Sequence, residues 1–237
     1  MSTVEYIIKV VNISGSTANY MLFSQQPEPS TTVGKIYTNI WVTSPGVPSP
    51  RGQARYSIKT GNFAICGMTA EPITYGAVVS TSDYAPVQLA SKDLPGTVPV
   101  MDIVGGGPQF VEPYGSTRKE NSFGIETKPF DMERYKTVYV GYGKNNDKGE
   151  VVPVAVWQAQ SATRYELTPI AQYYIGTGDF HAGTTVDITT IGQIAKVDFT
   201  TAPSGQTVAI VTHNPDRTYK VEFEYPPKMK PYRVNSE

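Results

Sequence analysis

Apolar and polar residues alternate singly over short stretches of this chain, and clusters of Gly, Pro, Asn and Asp separate the stretches. Side chains on a strand point to opposite faces in turn, so this period of two predicts half-buried β-strands. Thr218 to Tyr225 is the clearest case, with Tyr219, Val221, Phe223 and Tyr225 on one face and Lys220, Glu222 and Glu224 on the other. Similar patterns predict strands over 4–11, 19–24, 36–43, 53–59, 62–66, 74–81, 87–90, 98–104 and 122–127. In the second half they cover 137–142, 151–157, 165–168, 172–176, 184–188, 196–200 and 207–212. Only Met132 to Lys136 and Thr189 to Gln193 admit a helical turn.

The breaks between strands carry turn chemistry. Ser44 to Arg51 holds three prolines and is expected to be a loop. Thr60-Gly61 is expected to close a tight hairpin, and Gly143 to Gly149 a long one. Phe110 to Lys119 has no periodicity and is expected to be a surface loop. Many short strands with almost no helix predict an all-β, antiparallel β-sandwich, jelly-roll-like, with long loops. Residues 1–225 are expected to form one domain. Pro226 to Glu237, with three prolines and three basic residues, is expected to be an extended arm.

Composition narrows the picture. Twenty basic against twenty-one acidic residues, within 237, give a net charge of −1. Nucleic-acid binders need a basic surface to neutralise phosphates, so no nucleic-acid partner is expected. No apolar run is long enough to cross a bilayer, and the first residues lack the pattern of a signal peptide, so the expectation is an intracellular, cytoplasmic protein without a membrane partner. The single cysteine, Cys66, rules out an intramolecular disulfide framework and sits in an apolar run, where a buried thiol is expected. Low net charge and sixteen tyrosines favour self-association. Asn12-Ile13-Ser14 matches a glycosylation sequon, which matters only in a secreted chain.

No catalytic motif stands out. Gly105-Gly106-Gly107-Pro108 lacks the Lys and the following helix of a phosphate loop. The oxygen-bearing side chains of 143–150 do not follow the spacing of a calcium loop. Asp179 and His181, with Asp187 beyond them, could supply an acid–base pair or bind a ligand, although no nucleophile lies beside either histidine. Tyr37 and Trp41, with Asn39 between them on one strand face, form a possible sugar platform. Lys228, Lys230, Tyr232 and Arg233 in the arm are candidate assembly contacts. No cofactor and no metal is expected.

Three segments carry a likeness to a known family. Tyr6-Ile7-Ile8-Lys9-Val10-Val11-Asn12-Ile13-Ser14, Tyr20-Met21-Leu22-Phe23-Ser24-Gln25-Gln26-Pro27 and Tyr173-Tyr174-Ile175-Gly176-Thr177-Gly178-Asp179-Phe180 resemble the rhizosphere-induced protein A family of bacteria and its fungal relatives. The resemblance implies an intracellular protein with no established enzymatic activity, and it supplies no catalytic residue. The leading expectation is therefore a non-enzymatic β-sandwich that self-associates into an oligomer or ordered assembly. A carbohydrate-binding, lectin-like module is the first alternative, and a hydrolase using the His181 loop is the second.

Overall fold

The computed structural model describes residues 5–29, 34–59 and 61–227. Its first strands are β1 (Tyr6–Asn12), β2 (Ala18–Ser24), β3 (Glu28–Pro29), β4 (Tyr37–Asn39), β5 (Val42–Val47), β6 (Gln53–Ile58) and β7 (Asn62–Met68). The middle of the chain adds β8 (Asp83–Val87), β9 (Gly96–Val104), β10 (Gly107–Thr117), β11 (Phe123–Thr127), β12 (Val138–Asn145) and β13 (Val151–Gln158). The last are β14 (Arg164–Thr168), β15 (Gln172–Thr177), β16 (Thr185–Val186), β17 (Ala195–Asp198), β18 (Val208–His213) and β19 (Tyr219–Glu224). There is no helix among the described residues; 132–137 and 188–190 are turns.

The fold is all-β and sandwich-like, as the alternation predicts. Four sheets run in the orders β19-β18-β1-β6, β17-β15-β2-β5, β10-β9-β11-β14-β3 and β16-β4-β13-β12-β7-β8. Most pairs are antiparallel, but β1 lies parallel to β18 and β11 parallel to β9. The first two sheets face each other: Tyr6 stacks on Phe199, which meets Phe223 edge-on. The other two meet through Phe123 against Tyr142 and Trp157 against Tyr165. One continuous core, from Ile8 and Val10 through Leu22, Trp41, Val140 and Tyr142 to Val211, links all four.

Two smaller clusters cover outer faces. Met21, Phe23, Ile40 and Val186 are capped by Ile188, Ile191 and Ile194. Ile65, Val79, Tyr139 and Val156 are capped partly by Ile73. These connections act as a third layer, and they explain why β2 and β12 are buried on both faces instead of alternating.

Several local expectations are corrected. Thr60 lies outside the described residues, but β6 and β7 do not form the expected hairpin: β6 pairs with β1, and β7 with β12 and β8. Ala64, Ile65 and Cys66 are buried on both faces, which an inner position in the largest sheet provides. Part of the proline-rich stretch is strand. Pro45 lies in β5, an edge strand, where a missing N–H costs no ladder bond. The aperiodic stretch after Gly107 is β10, the longest strand described, and a register shift between Val111 and Gly115 erases its period of two.

Candidate functional site

Parallel pairing brings the ends of β1 and β18 to the same rim, and antiparallel pairing sets the end of β15 beside the start of β2, with Thr177 opposite Tyr20. Three connections therefore converge: Ile13–Thr17, Gly178–Gly183 and Asn214–Thr218. Between them lies an open, polar groove of about 830 Å³, bordered by Ser14, Asn19, Asp179, His213, Asp216 and Arg217.

Hydrogen-bonded polar side chains fix its walls. Asn12 is fully buried; its amide donates to the Val47 and Ser16 carbonyls at 2.8 and 2.9 Å, while its Oδ1 accepts from the Ser14 amide and hydroxyl. The sequon asparagine is thus a structural brace. Asn19 donates to Asp179 Oδ1 and accepts from the Gly46 amide, tying the Asp179 loop to β5. Asp216 accepts from the hydroxyl and the amide of Thr218, bonds that hold its carboxyl below the usual range. Arg217 takes a left-handed backbone conformation to close this turn.

At the floor, His213 is 7% exposed, hydrogen-bonded through Nδ1 to the Tyr20 hydroxyl at 2.8 Å and stacked on Tyr219. Burial lowers the His213 pKa and raises that of Tyr20, so both are neutral at pH 7. A neutral, stacked and hydrogen-bonded histidine serves packing here.

The candidates from sequence do not assemble into a catalytic set. His181 is exposed, its backbone carbonyl accepts from Thr184, and its imidazole enters none of the hydrogen bonds of the described residues. Asp179 is committed to Asn19. Asp187 accepts from the hydroxyl and the amide of Thr189, which lowers its pKa.

The proposed sugar platform is corrected. Trp41 is 1% exposed, lies in the central core and donates its indole N–H to the Asn145 carbonyl at 3.2 Å. Asn39 is fully buried and donates to the Gly183 carbonyl at 2.9 Å. β4 is inserted between β13 and β16, so this segment is enclosed on both sides and its alternation marks two different cores. Tyr37 alone stays half-buried, edge-on to Tyr75, with the Lys35 ammonium 3.9 Å from the Tyr75 ring centre.

Tyr75 borders a second groove, of about 490 Å³, with Phe180, Val186, Asp187, Thr190 and Ile191. It shares Thr177 and Gly192 with the first groove, so the two adjoin. Tyr75 and Phe180 are about two-fifths exposed, at 43% and 41%. The strand expected over 74–81 is instead a loop, and its turn at Tyr75 faces the Phe180 loop across this groove, a pairing of two loops that alternation does not encode. Cys66 is fully buried, and burial raises its pKa, so the thiol is inert. Lys228, Lys230, Tyr232 and Arg233 lie outside the described residues.

A family model described as RhiA matches residues 3–224, which includes the middle of the chain as well as the three segments that carry the likeness. No curated protein and no solved structure matches the chain.

Proposed function

The chain belongs to the RhiA family, and we propose that it is a non-enzymatic, intracellular β-sandwich whose work depends on self-association through the free edge of β19. Its sheet ends at β19, with no strand beyond it among the described residues. The hydrogen bond from Asn214 N–H to the Thr218 carbonyl sets the phase of the β18–β19 hairpin. Lys220, Glu222 and Glu224 then exchange backbone bonds with β18, while the N–H and C=O groups of Tyr219, Val221 and Phe223 point outward. An edge of unpaired groups is a template for another strand.

The charges on β19 select one register. If a second copy pairs antiparallel with Val221 opposite Val221, Lys220 faces Glu222 of the other copy twice, in close non-hydrogen-bonded positions. Sliding by two residues sets Glu222 against Glu222, or Lys220 against Lys220. The two-fold pairing closes on itself, so a dimer is its smallest product. A chain with one buried cysteine suits a reducing interior.

Light scattering tests this reading. The wild-type chain should give twice its 25.9 kDa mass. Lys220→Glu and Glu222→Lys alone should each give monomer, and the two together should restore the dimer. Monomer for every form, or dimer for every form, would overturn it. Deleting Pro226 to Glu237 separates the arm from the edge, since an edge-driven dimer survives the deletion.

A second reading keeps the carbohydrate class but moves its site. Tyr75 and Phe180 are partly exposed beside Asp187 and Thr190, a mixture of aromatic and polar groups that suits a sugar. Glycan-array binding lost in Phe180→Ala is the expected result; an array without hits removes this reading.

A further inference from the structure

Lys144 occupies an unusual position for a lysine. On β12 it follows Val138, Val140 and Tyr142 along the face that lines the central core, and it is 6% exposed. Its ammonium reaches three acceptors, all at long range: the Lys59 and Gly61 carbonyls at 3.4 Å and Asn62 Oδ1 at 3.3 Å. Asn62 Oδ1 is already taken by the Tyr142 hydroxyl at 2.7 Å. No carboxylate forms an ion pair with Lys144 among the described residues. A buried charge without a counter-charge is costly, and natural cores seldom keep one for packing alone.

The ammonium borders a pocket of about 220 Å³ whose lining is mostly apolar. Leu89, Pro169, Ile170 and Ala171 supply the walls, and Lys59 stands exposed beside it. The lining includes two lysines, several tyrosines and not one acidic residue. Burial holds the phenols of Tyr142 and Tyr173 protonated, which leaves them as neutral groups. The charge missing from this open cleft is negative, and the space beside it is hydrophobic.

We propose that this pocket binds one small organic acid, with the carboxylate on the Lys144 ammonium and the apolar body against Leu89, Ile170 and Ala171. Lysine gives a compact point charge suited to a single carboxylate, and about 220 Å³ of cleft matches the body of a short aliphatic or single-ring acid. This site is separate from the β19 edge, and its test does not depend on assembly.

Thermal unfolding of the full chain with benzoate and hexanoate, against benzamide and hexanamide as neutral isosteres, tests the proposal. At about a hundredfold excess over Kd the acids should raise Tm by about 5 °C or more, and the amides should not. Lys144→Met should fold with a higher Tm at pH 7 and lose the response. Should that variant fail to fold, Leu89→Trp fills the pocket with Lys144 in place and must also abolish the shift. No shift with either acid, an equal shift with the amides, or a shift retained in whichever variant folds would overturn the proposal.

Discussion

Two buried polar side chains carry opposite lessons at the scale of the residue. Asn12 has its hydrogen-bonding groups satisfied, so Asn12→Ala removes a buried brace and should cost about 1–3 kcal/mol in urea unfolding, with the Ser14–Thr17 turn loosened. Lys144 is a charge without a counter-charge, and its burial lowers its pKa from 10.5 to about 8. Between those two values the unfolded chain binds more protons than the folded one, so stability rises with pH from about 8 to about 10.5. Below pH 8 the charge costs the fold on the order of 3 kcal/mol. Tyr6, Tyr142, Tyr173 and Lys59 surround it, and the buried phenols act in the opposite direction above pH 10. The difference between wild type and Lys144→Met isolates the lysine. Lys144→Met should be the more stable form at pH 7, with the gap closing towards pH 10.5; a gap independent of pH would contradict this account. Lys144 was hidden in the sequence because it follows Gly143 in a run of Gly, Lys, Asn and Asp that reads as a solvated hairpin tip. Its parity with Val138, Val140 and Tyr142 was the available signal.

Legibility at the scale of the element follows burial. β19 was plain in sequence because one face is wet and one dry, and its half-buried, exposed alternation is regular. β4 misled because it is enclosed on both sides, so Tyr37, Asn39 and Trp41 share a parity without sharing a surface. β10 was missed because a shift in register breaks the period, and part of the proline-rich stretch because an edge strand tolerates Pro45. Partner choice was not legible at all: alternation says which face is buried, never which strand lies alongside, and β6 and β7 accordingly belong to different sheets. The β19 edge also admits a test of its own. The amide of Val221 points outward, so Val221→Pro should leave the β18–β19 ladder intact while abolishing pairing with a second copy. Circular dichroism should be unchanged and the scattering mass halved; a retained dimer would contradict the outward phase of that amide.

On the scale of the whole molecule, the all-β architecture and the family were both readable from sequence, and the family match covers nearly the full described chain. The candidate site was readable only in part. The loops holding Asp179 and the His213 turn were visible, but their convergence depends on β1 lying parallel to β18, a long-range pairing that no local pattern encodes. What the convergence produces is a braced, polar groove, with one histidine packed and the other exposed, and not a set of catalytic groups. The proposed function rests on the free edge of β19 and not on this groove.

Amide hydrogen exchange resolved residue by residue across β19, followed as protein concentration rises, tests that claim most directly. The amides of Lys220, Glu222 and Glu224 should be protected at every concentration, because β18 holds them. Those of Tyr219, Val221 and Phe223 should exchange quickly in dilute solution and slow in step with the gain in mass. Fast exchange at these three positions in a sample whose mass exceeds that of one chain would contradict pairing through β19, as would a mass that never rises above one chain.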